Sequence, residues 1–237
     1  MWYNSNCWVL ISLGGKVLVQ KINTELIRLD KDKIDKRYFY RFFKRLFDFL
    51  ASGIALVILS PLFLIISLLI YINDQGPIFY SQIRIGRDGK PFKMYKFRSM
   101  VTNADELLEN LRSKNEVDGP MFKMKEDPRI TKIGKFIRKT SIDEFPQLFN
   151  VLLGQMSLVG PRPPLKNEVT EYSPYDKQRL WVVPGCTGLW QATERSNVGF
   201  HDMVELDIKY IEKSNFFFDL YLMFKTIKII IMPNDAY

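Results

Sequence analysis

A chain of 237 residues with 47% hydrophobic content can bury an ordinary core and still supply an anchor, which excludes wholesale disorder. Its formal net charge of +8 suits an anionic partner, without choosing among nucleic acid, anionic lipid and nucleotide phosphate. A single histidine, His201, excludes a multi-histidine metal site, and two cysteines, Cys7 and Cys186, form no disulfide framework and read as free thiols.

Residues 1–35 show no clear pattern and read as a variable extension. Trp8 to Leu13 is apolar, but it is too short, and lacks the basic lead, for a signal peptide. Asp30-Lys31-Asp32 has the Asp-x-Asp spacing that some glycosyltransferases use for a metal. In a lysine-rich run, a solvated charged face explains it better.

Phe49 to Ile72 contains no charged residue. As one helix it would be about 36 Å long, enough for a bilayer core of about 30 Å. Ser60-Pro61 lies at the midpoint. Proline cannot donate to the Val57 carbonyl and its ring crowds it, so a kink or break is expected there. The flanks are basic on both sides: Lys31, Lys33, Lys36, Arg37, Arg41, Lys44 and Arg45 before, and Arg84, Arg87, Lys90, Lys93, Lys96 and Arg98 after. The tendency of basic flanks to stay in the cytoplasm is met at one end by a kinked span, and at both by a re-entrant hairpin that leaves on the side it entered. Both readings stand on these grounds, with a buried core helix a weaker third.

Ile78 to Arg84 and Phe92 to Phe97 read as strands, joined by a turn at Arg87-Asp88-Gly89-Lys90 whose Asp-Gly pair signals a hairpin. Asn103 to Arg112 reads as a short helix, Glu116 to Asp127 as a loop, Ile130 to Lys139 as a basic helix, and Ser141 to Leu153 as a helix stopped by Gly154. Gly160 to Gly188 is rich in proline and glycine and reads as ordered loops. Phe200 to Ile211 reads as a helix. Phe216 to Met232 is apolar but interrupted by Asp219, Lys225 and Lys228, which suits an interfacial helix or a core helix equally.

Chemistry concentrates in Lys139-Thr140-Ser141-Ile142-Asp143-Glu144-Phe145-Pro146-Gln147. Ser141 with Glu144 three residues on has the capping-box spacing, which places Asp143 and Glu144 in the first turn of a helix. A well-started helix accounts for both acids. Alternatively the helix start is an anion site, with Lys135, Arg138 and Lys139 adding positive charge and a divalent cation, Mg²⁺ by preference, bridging carboxylate and phosphate. In Tyr95-Lys96-Phe97-Arg98-Ser99-Met100, strand alternation puts Lys96 and Arg98 on one face, suited to a pyrophosphate or simply solvated. In Gly160-Pro161-Arg162-Pro163-Pro164, prolines stiffen the loop around Arg162, a phosphate reader or a structural arginine. In Pro184-Gly185-Cys186-Thr187-Gly188-Leu189-Trp190-Gln191, Cys186 suits packing better than nucleophilic attack, and Gln191 and Arg195 are weak candidates for nucleotide contacts.

These segments, with Lys44-Arg45-Leu46-Phe47-Asp48, Gly76-Pro77-Ile78-Phe79 and Gly154-Gln155-Met156-Ser157-Leu158-Val159-Gly160-Pro161-Arg162-Pro163, closely resemble the bacterial sugar transferase family, the monotopic phosphoglycosyl transferases acting on polyprenyl phosphate. The match runs from about Lys44 to Met232. Two departures are that Ile142 and Phe145 stand where leucine is common, and that the first 35 residues match neither the short nor the large members.

The resemblance implies an α+β monotopic membrane protein with a re-entrant helix-break-helix anchor (the break at Ser60 and Pro61), a β-hairpin and interfacial amphipathic helices. The implied organisation is an extension at 1–35, an anchor at 36–75 and a cytoplasmic catalytic domain at 76–237, at the bacterial inner membrane. It implies Asp143 and Glu144 as the catalytic dyad, Asp143 attacking the β-phosphorus of a UDP-sugar, releasing UMP and passing the phosphosugar to polyprenyl phosphate to start exopolysaccharide, capsule, O-antigen or glycoprotein glycan assembly. Mg²⁺ would be held at Asp143. Substrate contacts are expected from Lys96, Arg98, Arg138, Arg162, Gln191 and Arg195, with membrane lipids as further partners and nucleic acid not among them. Two rival readings are a non-enzymatic basic membrane-surface binding protein, and a metal-dependent glycosyltransferase built on Asp30-Lys31-Asp32, which would release UDP.

Overall fold

A computed structural model describes residues 7–13, 16–22, 27–111, 115, 124, 126–193 and 199–231. The loop expected at Glu116 to Asp127 and the candidate Arg195 lie largely or wholly outside the described residues.

Within the first 35 residues, where no pattern is evident in the sequence, the backbone forms strands β1 (Cys7–Leu13) and β2 (Lys16–Ile22), paired antiparallel, and then a one-turn helix α1 (Lys31–Asp35). Asp30 caps α1 by accepting from the Lys33 amide at 3.2 Å. Its Asp-x-Asp spacing therefore serves a helix start. Leu29 and Ile34 face the main core, and the Leu29 amide donates to Gln178 Oε1 at 2.7 Å.

The apolar run lies in α2 (Tyr38–Asp74), 37 residues long and about 55 Å at 1.5 Å per residue. It is long and apolar enough to cross a membrane, and most of its apolar run faces outward, with Val57, Ile58, Leu64 and Ile72 strongly exposed. Of the kink or break expected at Ser60-Pro61, the break is corrected: the helix continues past this point with Pro61 inside it. The Val57 carbonyl that proline leaves without a donor accepts instead from Ser60 Oγ at 2.8 Å. The adjacent hydroxyl replaces the missing amide and preserves the helical conformation.

Both arms of α2 dock on the same polar body. Before the proline, Arg45 donates to the Val151 and Leu152 carbonyls at 2.6 and 2.8 Å, Lys44 pairs with Asp219 at 2.7 Å, and Asp48 accepts from the Leu158 amide at 3.0 Å. After it, Ile66 and Ile70 are buried with Phe97 and Ile137, and Asp74 pairs with Arg98.

The hairpin forms as expected, from β3 (Phe79–Ile85) and β4 (Pro91–Phe97), with Phe79 opposite Phe97 and Ile85 opposite Pro91. Asp88 (φ +54°) and Gly89 (φ +78°) supply the left-handed turn. Helices α3 (Ala104–Leu111) and α4 (Lys132–Lys139) follow, the latter capped by Thr131. The single helix expected over Ser141 to Leu153 is instead a 3₁₀ turn at Ile142–Glu144 and the short α5 (Gln147–Leu152), after which Gly154 takes φ +81°.

The proline- and glycine-rich stretch carries α6 (Lys166–Thr170) and the end of a two-stranded parallel sheet. In that sheet β5 (Ser157–Val159) pairs with β6 (Gly185–Thr187). Gly160 and Gly185 are close enough that a Cβ on Gly185 would strike the Gly160 backbone, so both positions need glycine. Helices α7 (Leu189–Thr193), α8 (Phe200–Lys213) and α9 (Phe216–Ile231) complete the fold. α9 buries Leu222 in the core with Tyr210 and Ile211, while Phe217, Tyr221 and Phe224 face out.

Candidate active site

The site is built around the corner between α4 and α5. Ser141 adopts a left-handed conformation, φ +57° and ψ +16°, and makes no side-chain cap bond. The expected capping box is therefore corrected. Ile142 packs against the Ile66, Ile70, Phe97 and Ile137 cluster, which anchors the chain through the corner. The turn closes through Glu144 N to Ser141 O at 3.2 Å and Phe145 N to Ile142 O at 3.1 Å. Asp143 is left 8% exposed on the inside of the corner, while the Glu144 side chain stays 44% exposed.

Asn150, which nothing in the sequence marked, aligns the site. From α5 its Oδ1 accepts from the Tyr95 amide at 3.0 Å, and its Nδ2 donates to the Lys93 carbonyl at 2.7 Å. These bonds clamp α5 to β4 and bring Lys96 Nζ to 2.7 Å from Glu144 Oε1.

The third component is the loop carrying Arg162. Gly160 N donates to Thr187 O and Gly185 N to Pro161 O, both at 2.8 Å. Arg179, in a fully buried pair with Asp207, reaches the Arg162 carbonyl at 3.4 Å, and Arg162 Nη1 lies 4.0 Å from Glu168 Oε1. Arg84, also overlooked in the sequence, donates to the Pro163 carbonyl from β3 at 3.1 Å.

The electrostatics divide the two acids. Burial, opposed by Lys96 and reinforced by Glu144, pushes the Asp143 carboxyl up to about 6. Partial burial also acts to raise Glu144, but the Lys96 ammonium, helped by Arg162 and Arg84, outweighs it and holds Glu144 below its ordinary value. Arg138, exposed at the end of α4, adds positive charge near Asp143.

Two further expected substrate contacts, Arg98 and Gln191, have their own local surroundings. Arg98 turns away to pair with Asp74 at the end of α2. Gln191 lies beside Gly188, its Oε1 buried and without a hydrogen-bond partner. The Cys186 thiol is driven well above its usual range by burial, then by Glu144 and Asp48, which suits packing and not attack. Arg195 lies outside the described residues.

Among the described residues, no third histidine, cysteine or acidic side chain joins Asp143 and Glu144 into a cluster able to hold a metal. Mg²⁺ keeps several waters and is ordinarily bound by one or two carboxylates together with substrate phosphates, so this donor pair fits it in the presence of a diphosphate.

A family model described as bacterial sugar transferase matches residues 39–233. A galactosyl transferase CpsE from Streptococcus agalactiae is 43% identical over 203 residues, 84% of this chain and 44% of the relative. An undecaprenyl-phosphate galactose phosphotransferase from Salmonella typhimurium is 45% identical over 204 residues, 83% of this chain and 42% of its own. The exopolysaccharide production protein ExoY of Rhizobium meliloti is 41% identical over 198 residues, covering 82% and 88%. The chain thus spans a little under half the length of the first two and most of the third.

Proposed function

Because the chain belongs to the bacterial sugar transferase family, we propose that it transfers a sugar phosphate from a UDP-sugar to polyprenyl phosphate through Asp143. The observation that carries this is the pairing of a buried Asp143 with a Lys96-bound Glu144, near Arg162 on a proline-stiffened loop and Arg84 on β3.

In this reading Asp143, ionised, attacks the β-phosphorus of the donor. Its carboxylate oxygen forms the new P–O bond, the bond to the UMP oxygen breaks, and UMP leaves with that electron pair. In the second step an oxygen of polyprenyl phosphate attacks the aspartyl phosphorus, and the Asp143 carboxylate departs unchanged. Burial strips water from Asp143 and leaves it a stronger nucleophile once charged. Lys96 and Arg162 offset the charge gathering on the phosphoryl oxygens, Arg162 with a planar fork that matches them. Glu144, kept ionised by Lys96, orients the incoming phosphate or its proton. Asp143 and Glu144 would hold Mg²⁺, which supplies charge neutralisation at the diphosphate.

The length and exposed apolar surface of α2 support membrane attachment. Its arms on either side of Pro61 both dock on the polar body, at Leu158 and at Arg98. This supports a re-entrant anchor, since a crossing helix would carry its two ends to opposite faces. α9, which packs on α2 through Phe216 and Phe47, also carries exposed apolar residues. Facing the cytoplasm at a bacterial inner membrane, the site would meet its lipid acceptor without extracting it.

The test is a panel of UDP-sugars with polyprenyl phosphate, scored for UMP release, alongside a search for a labelled phosphosugar adduct without acceptor. UMP release and an adduct lost in Asp143→Asn are expected. Lipid binding with no UMP, or release of UDP, would overturn the proposal.

A further inference from the structure

Arg84 sits one residue from the end of β3 and is 7% exposed. A guanidinium this deeply buried needs its donors satisfied. Nη1 donates to the Pro163 carbonyl at 3.1 Å and Nη2 to Gln82 Oε1 at 2.9 Å, whereas Nε is buried with no hydrogen-bond partner. The backbone adds to this grip. Ile85 N donates to the Pro164 carbonyl at 2.9 Å, and Arg84 bridges Leu165 in antiparallel fashion. Pro163 to Leu165, just after Arg162, are thus pinned to the end of β3.

A buried arginine made only for packing would be expected to face a carboxylate. Arg84 instead donates to a carbonyl and an amide oxygen, and a second guanidinium, Arg162, stands with the carboxylates Glu168 and Glu144 among its charged neighbours. Burial first and Arg162 second loosen its hold on its proton, down to about 10. Keeping a buried Arg84 close to the partly exposed Arg162 is unfavourable unless the geometry between them is needed.

We propose that Arg84 is a positioning residue for phosphosugar transfer: by holding the Pro163 carbonyl it fixes the loop and aims the Arg162 guanidinium toward the Glu144–Lys96 pair. This rests on the functional reading above, and the experiment separates the two. With full-length protein in lipid nanodiscs, kcat/KM for UMP release is measured for wild type, Arg84→Gln, Arg162→Gln and the double variant. Misplacing a phosphate-binding group lowers kcat/KM by about a hundredfold. Arg84→Gln is expected to fall by that order in the wild-type background, but by no more than about threefold when Arg162 is already lost, because coupled residues are not additive. Arg84→Lys, which keeps one donor for Pro163, recovers part of the loss. Amide exchange at Ile85, Arg162 and Leu165 quickens in Arg84→Gln.

Additive losses in the cycle, or unchanged exchange across the loop, would overturn the proposal while leaving the functional reading intact. If Arg84→Gln does not fold, Arg84→Lys carries the same cycle. If wild type releases no UMP from any UDP-sugar, the functional reading falls and the transfer role of Arg84 falls with it.

Discussion

Lys96 Nζ and Glu144 Oε1 meet at 2.7 Å although 48 positions separate them in the chain. The pair exists because Asn150 ties α5 to the edge of β4, and it keeps Glu144 ionised next to an acid that burial is pushing toward its neutral form.

Lys96→Met removes the strongest charge opposing the burial of Asp143. Loss of one such group costs about two to three orders of magnitude in kcat. The acid limb of the pH–rate profile should also move to higher pH, because both carboxyls then protonate more readily. UMP release measured from pH 5 to 9 checks both effects; an unmoved acid limb would separate Lys96 from the ionisation of the dyad.

Asp143→Asn should stabilise the metal-free protein at neutral pH. The folded-state value of about 6 lies above the ordinary 3.8, so the folded protein holds a proton that the unfolded chain gives up between those values. Asp143 therefore favours folding at low pH, and that contribution is lost as pH rises through about 6. Above it, removing the charge is worth up to about 3 kcal/mol, and the gain should vanish below about pH 4. Thermal melts of both proteins in chelator, from pH 4 to 8, show the convergence or its absence.

The re-entrant anchor can be read by labelling. Single cysteines at Lys36→Cys and Asn73→Cys, with Cys7 and Cys186 replaced by serine, should both react with an impermeant maleimide from the cytoplasmic side of oriented vesicles. Labelling from opposite sides would establish a crossing helix.

Ile34→Ala tests the packing of the segment before α2. Ile34 is 6% exposed against Tyr210, Ile211 and Leu222. Truncating a buried isoleucine costs about 2–5 kcal/mol. Asp35→Ala, which removes the 2.7 Å pair with a partly exposed Arg87, should cost below about 1 kcal/mol. Equal losses in the two melts would contradict this ranking.

Much of the candidate site is legible in the sequence because its parts are local: the Asp143-Glu144 pair, the stiff loop around Arg162 and Lys96 on its strand are each visible within a few residues. What escapes detection depends on distant partners. Asn150 is one more polar residue on a short helix until β4 is laid beside it, and Arg84 looks like a solvent-facing strand cation until Pro163 covers it. The capping-box spacing at Ser141 misleads because Ile142 is drawn into the Ile66–Phe97 cluster, which turns the chain through a left-handed residue. Strands β5 and β6 have three residues each, too few for a period to show.

The segment from Leu29 to Arg37 lies outside the family match, which begins at residue 39, yet its side chains complete the interior. Leu29 and Ile34 fill the space beside Tyr210 and Leu222, and Arg37 donates to the carbonyls of Ile211 and Glu212 at 3.0 Å. A chimera that joined foreign upstream sequence at residue 38 would open an apolar trench along α8 and α9. The workable seam lies ahead of Leu29, so exchanging leading segments between relatives must carry this stretch with the residues from 39 onward.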